Sequence, residues 1–141
     1  MKYDDAVWHS GGNFPEGSIS EYGGTHIALL LKWCFLKGWA GDLHVEESAE
    51  DLRKMLCGDM TEIDFLFRNC DGKFTDEDLS EEGNSLVSVY YGDDGFYLAD
   101  YTETFGDLMY VAGEAAHDFM KFSQMVNLRY IAYVESTKKT L

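Results

Sequence analysis

Four histidines and three cysteines, with 26 Asp and Glu residues, are the side chains of this 141-residue chain most able to do chemistry. His9, His26, His44 and His117 form no HxxxH or HExxH pair, and none stands at metal-ligand spacing from a cysteine, so the spacing names no metal ligand. His9 lies in the turn-rich run Trp8-His9-Ser10-Gly11-Gly12, and His26 opens an apolar stretch. Trp8, His9 and His26 are therefore the candidate site if the chain is an enzyme, with proton transfer or nucleophilic attack as the chemistry. The ordinary alternative for His26 is a hydrogen-bonded histidine of the core or its rim. Cys34, Cys57 and Cys70 are odd in number and lack CxxC spacing, which fits reduced thiols in a cytosol. Their apolar and acidic neighbours favour the neutral thiol, so none reads as a nucleophile. Gly11-Gly12 and Gly23-Gly24 have no adjoining basic residue, and neither GxGxxG, GxxxxGK[ST] nor GxSxG occurs. No catalytic residue and no cofactor follows from these motifs.

The decapeptide Asn69-Cys70-Asp71-Gly72-Lys73-Phe74-Thr75-Asp76-Glu77-Asp78 resembles the latter part of an EF-hand loop. Aligning Asp71-Gly72 with loop positions 5 and 6 puts Asn69, Thr75 and Asp78 at positions 3, 9 and 12. Position 1 is then Phe67, which cannot ligate, and position 12 is Asp where bidentate Glu is usual. A turn at Asp71-Gly72, a packed Phe74 and a helix cap at Thr75 account for the same residues. A divalent-cation binder using the acids of Asp71–Glu82 is the alternative.

Net charge is the largest compositional signal, at −15. Between Asp42 and Asp107 stand 19 acidic residues and only Arg53, Lys54, Arg68 and Lys73 as bases; the rest of the chain is balanced, seven against seven. Such a field repels nucleic-acid phosphates and anionic membranes and attracts basic protein surfaces. The expected contact surface for a basic partner is Asp76, Glu81, Glu82, Asp93 and Asp94 around Tyr91, where a turn and a helix face can present them together.

The elements that must position these residues read as helices. Apolar residues are 45% and aromatics 15%, too many for a disordered chain. The longest apolar run, Ile27–Leu31, is too short to span a bilayer, and the acidic N-terminus carries no secretory h-region, so a cytoplasmic protein is expected. Residues 1–24 form an irregular segment pinned by Tyr3, Trp8, Phe14 and Tyr22. Thr25 caps a central helix that buries Leu30, Leu31, Cys34 and Phe35 and ends at Lys37-Gly38. Further helices open at Ser48, Thr61 and Thr75, the last with Leu79, Leu86, Val89 and Tyr90 on its inner face. Phe96–Tyr101 leans to helix, and Leu108–Val111 is the best extended piece. A long amphipathic segment runs from Gly113 to about Ser136, with Ala116, Phe119, Met120, Phe122, Met125, Leu128, Ile131 and Val134 as its stripe and a break near Ser123. The expectation is one mainly α domain over residues 1–141, with five or six helices and little sheet.

Several stretches in combination resemble an uncharacterised bacterial family, a domain of unknown function. They are Tyr3-Asp4-Asp5-Ala6, Trp8-His9, Gly11-Gly12, Phe14-Pro15, Gly24-Thr25-His26-Ile27 with Trp33, Cys70-Asp71-Gly72-Lys73 with Thr75, Glu77-Asp78-Leu79, Glu82-Gly83-Asn84, Tyr90-Tyr91 and Tyr97-Leu98 with Asp100-Tyr101. The resemblance implies no catalytic residues. Small acidic bacterial proteins are often immunity proteins that neutralise secreted toxins, an analogy between classes of protein. It makes a non-catalytic binder of a basic toxin the expected function.

Overall fold

The run Thr-His-Ile-Ala-Leu-Leu-Leu-Lys-Trp-Cys-Phe-Leu has no face to spare for water, and the structure buries it accordingly. In a computed structural model, which describes residues 2–6, 24–91, 95–105 and 119–139, this run is helix α1 (Thr25–Leu36), with all but Lys32 and Leu36 buried. Leu30, Leu31, Cys34 and Phe35 lie in the core as the spacing predicts. The cap differs from expectation. Gly24 holds the N-cap position, Thr25 is the first helical residue, and its buried hydroxyl caps nothing.

Around α1 the order is β1 (Lys2–Asp5), α1, α2 (Asp42–Glu47), α3 (Ala49–Leu56), α4 (Glu62–Asn69), β2 (Lys73–Thr75), a 3-10 turn (Asp76–Asp78), α5 (Glu81–Tyr90), α6 (Tyr97–Phe105) and α7 (Phe119–Lys139). The fold is mainly α, with seven helices among the described residues. One more helix forms than expected because α2, whose only aliphatic side chains are Leu43 and Val45, carries no helical stripe to read. Ser48 joins α2 to α3 without a side-chain capping bond. Thr61 does cap α4, accepting from the Asp64 amide at 3.1 Å.

Among the described residues the sheet is two antiparallel strands, pairing Lys2 with Thr75, Asp4 with Phe74 and Asp5 with Lys73, with a bulge between Lys2 and Asp4. It takes residues 2–5 out of the irregular segment expected there. The turn feeding β2 is Asp71-Gly72, both at positive φ (55° and 72°). A side chain at 72 would be strained and would also press on the Phe67 ring.

Two expected helices start or face differently. Thr75 caps the 3-10 turn, with Asp78 closing a capping box, and α5 begins after Ser80, whose hydroxyl accepts from the Gly83 amide at 3.3 Å. The later start sets Leu86, Val87 and Tyr90 inward and Val89 outward. In α7 the helix runs unbroken through Ser123. Phe122, Met125 and Val126 are buried, but Met120, Leu128 and Ile131 are exposed. The expected stripe advanced by threes, and at 3.6 residues per turn each such step slips by about 60°, so it winds off the buried face. The docking row is instead Phe122, Val126 and Tyr130, with Asn127 accepting from the Trp33 indole at 3.0 Å.

The buried apolar residues of these helices and of β2 form one contiguous cluster. Among the described residues no helix is long and apolar enough to cross a membrane. The helical expectation for Phe96–Tyr101 is met by α6. The expected extended piece at Leu108–Val111 and the start of the last helix lie outside the described residues.

Candidate functional site

Three chemically different side chains converge where α2, the end of α4 and the 3-10 turn meet. The Trp39–Gly41 segment crosses Asp78–Ser80, with the Gly41 amide donating to the Asp78 carbonyl (3.0 Å) and the Ser80 amide to the Trp39 carbonyl (2.7 Å). Only glycine allows this approach at 41, since a Cβ would collide with the Glu77 carbonyl oxygen. The crossing holds α2 over the turn. His44 Nε2 then lies 2.7 Å from Asp78 Oδ1 and 3.7 Å from Cys70 Sγ. His44 is fully buried, ringed by Phe35 and Phe65, and its Nδ1 faces Ser48 Oγ at 3.5 Å. Asp78 Oδ2 accepts from the Thr75 amide at 2.8 Å. Burial, together with the charge of Asp78 and the hydrogen bond to it, holds the Cys70 thiol well above its usual range. Cys70 and Asp78 line a surface cleft of about 370 Å³, with Arg68, Asp71, Lys73 and Glu77 around it. His44, Cys70 and Asp78 are the described residues whose donor atoms are grouped closely enough to hold a metal ion.

A second histidine–aspartate pair joins β1 to α1. His26 Nε2 is 2.9 Å from Asp4 Oδ2, and the Tyr91 hydroxyl donates to the same oxygen. The Tyr97 hydroxyl donates to the His26 carbonyl. Burial, then the charge of Asp4 and the hydrogen bond to it, raises the Tyr91 phenol well above its ordinary value. This network clasps β1 to α1 and to the end of α5. His26, from the expected enzyme site, is fully buried within it. Trp8 and His9 lie outside the described residues.

The expected partner surface divides. Glu81 and Glu82 are exposed on the first turn of α5, beside exposed Glu77 and half-buried Asp76. Tyr91 stands at the far end of α5, about 13 Å along the axis, with its hydroxyl inward on Asp4. Asp93 and Asp94 lie outside the described residues. The Trp39–Gly41 crossing brings exposed Asp42 to the same end as Glu77, Glu81 and Glu82. From there α2 and α3 carry Glu46, Glu47 and Glu50, all exposed, past an open apolar groove of about 470 Å³ formed by Val45, Ala49, Leu52 and Leu56 with Arg53 and Cys57. Leu56 is one wall of that groove.

In the EF-hand-like decapeptide, Asp71 is exposed and pairs with Lys73 at 3.2 Å, while both Asp78 oxygens are engaged by His44 and by Thr75. His44 and Cys70 escaped the sequence reading because 26 residues separate them, and only the chain crossing at Gly41 joins them.

Fold and site together define a small, acidic, mainly helical protein whose described residues include two buried histidine–aspartate pairs, one beside a thiol and an open cleft. Residues 2–112 match a domain of unknown function, DUF7832, and the chain belongs to that family. No curated protein and no solved structure matches it.

Proposed function

We infer that this protein is a non-catalytic binder of a basic partner protein, in its most concrete form an immunity protein covering a basic toxin. The observation that carries this reading is the α2–α3 groove. Its apolar floor is open to solvent, Val45 being 52% exposed. Six acids and two bases occupy residues 42–59. Acids in first turns are explained by the helix dipole alone, but an apolar strip beside them is the composition of an interface centre with a charged rim. The acidic end at Asp42, Glu77, Glu81 and Glu82 extends that rim. Long-range attraction then sets the association rate and the groove sets the lifetime.

Capture on the immobilised protein from an extract of its native cells, eluted with a salt gradient, should return a basic protein. With that partner, Glu81→Lys/Glu82→Lys should slow association about tenfold, and Val45→Asp should chiefly speed dissociation. An acidic partner, or association indifferent to salt, would overturn the reading.

A further inference from the structure

We propose that His44, Cys70 and Asp78 form a binding site for a single zinc-class metal ion, with a fourth coordination position open to the adjoining cleft. This proposal is independent of the binding reading above, since it concerns other side chains and a different ligand. The donors are one imidazole nitrogen, one sulfur and one carboxylate oxygen, all within 4.8 Å of one another. That mixture suits Zn²⁺ and its borderline neighbours, whereas Ca²⁺ and Mg²⁺ take oxygen alone.

The distances match such an ion. Tetrahedral zinc with ordinary bonds to nitrogen and sulfur separates those atoms by about 3.6 Å, and His44 Nε2 and Cys70 Sγ are 3.7 Å apart. His44 Nε2 and Asp78 Oδ1 are closer, at 2.7 Å, because a proton now lies between them. When the ring carries its single proton on Nδ1, facing Ser48, Nε2 is free for a metal ion in place of that proton, and the pair opens to about 3.3 Å.

The surroundings orient the donors as a metal site requires. Ser48 faces the second imidazole nitrogen, and the Thr75 amide holds the second carboxylate oxygen. Such outer partners fix ring and carboxylate so that the remaining lone pairs converge. His44 is also fixed by the flanking rings of Phe35 and Phe65. Cys70 and Asp78 both reach the cleft, which gives the ion a way in and a place for water. On binding, the sulfur–proton bond of Cys70 breaks, the proton leaves to solvent, and the sulfur lone pair forms the bond to the metal.

The test is titration of the full chain, cleared of metal by a chelator, with Co²⁺ as the spectroscopic probe and Zn²⁺ as its competitor. One equivalent of Co²⁺ should give near-ultraviolet thiolate charge transfer and tetrahedral visible bands, both displaced by Zn²⁺. Cys70→Ala should abolish the charge-transfer band and weaken zinc binding by at least about 100-fold. Cys57→Ala, at an exposed thiol outside the cluster, should change neither. Circular dichroism of Cys70→Ala separates loss of the ligand from loss of the fold. If that variant misfolds, Asp78→Asn provides the second reading and should weaken zinc binding by at least about tenfold. Cobalt binding without charge transfer, or zinc affinity unchanged in a folded Cys70→Ala, would overturn the proposal.

Discussion

His26 with Asp4 and His44 with Asp78 are two versions of one motif, a fully buried imidazole on a buried carboxylate, at 2.9 Å and 2.7 Å. They differ in the third partner and in what lies outside it. At Asp4 the third partner is the Tyr91 hydroxyl, and the Tyr97 hydroxyl anchors the His26 backbone. Those donors come from aromatic residues of the core, so the pair serves as a clasp. Beside His44 and Asp78 the third group is the Cys70 thiol, 3.7 Å from His44 Nε2, and the cluster borders a cleft that solvent can enter. A shared pair therefore says little about role; access and the chemistry of the third group decide it.

The largest expected effect breaks the clasp. Asp4→Ala removes the carboxylate that His26 and Tyr91 share in buried surroundings and should cost about 3–5 kcal/mol in urea unfolding. Asp78→Ala should cost less, about 2 kcal/mol, because water from the cleft can reach the groups it abandons. Equal costs would erase the distinction drawn here.

The third partners sharpen it. Tyr91→Phe should cost about 1.5–3 kcal/mol, the range for a hydrogen bond to a charged group, whereas Cys70→Ala in the metal-free protein should cost no more than about 1 kcal/mol. Tyr91 also has a pH signature. Its phenol is raised in the folded protein, so its contribution is complete below the ordinary value near 10.0 and is lost as pH rises beyond it. Tyr91→Phe should flatten that alkaline loss, as read from thermal unfolding across pH 8 to about 12.

A comparably small effect is expected at the cap. Thr75→Ala should cost about 1 kcal/mol. Amide exchange should rise in residues 73–78 and stay unchanged around His26.

Local rules made much of this fold legible. The all-round apolar run of α1, the Thr61 cap, the Asp71-Gly72 turn and the helix at Tyr97–Phe105 are each written within a few adjacent residues. The later start of α5 was less legible, since Thr75 and Ser80 are both good caps and only the pairing of β2 with β1 commits Thr75 to a strand end. The exposed half of α7 was misread because spacing by threes imitates a stripe over one or two turns and then leaves the core.

The sequence by itself determined the helical class, the family and the charge of −15, because composition and short-range periodicity are properties of neighbours along the chain. Only the tertiary structure decided which polar groups meet. Asp4 finds His26 across 22 residues and Tyr91 across 87, and His44 finds Cys70 across 26 and Asp78 across 34. No local rule connects positions so far apart. What connects them is burial: a helix packed over a turn, at a glycine that lets two backbones touch, leaves each buried polar group to find its partner among whatever the core has brought near.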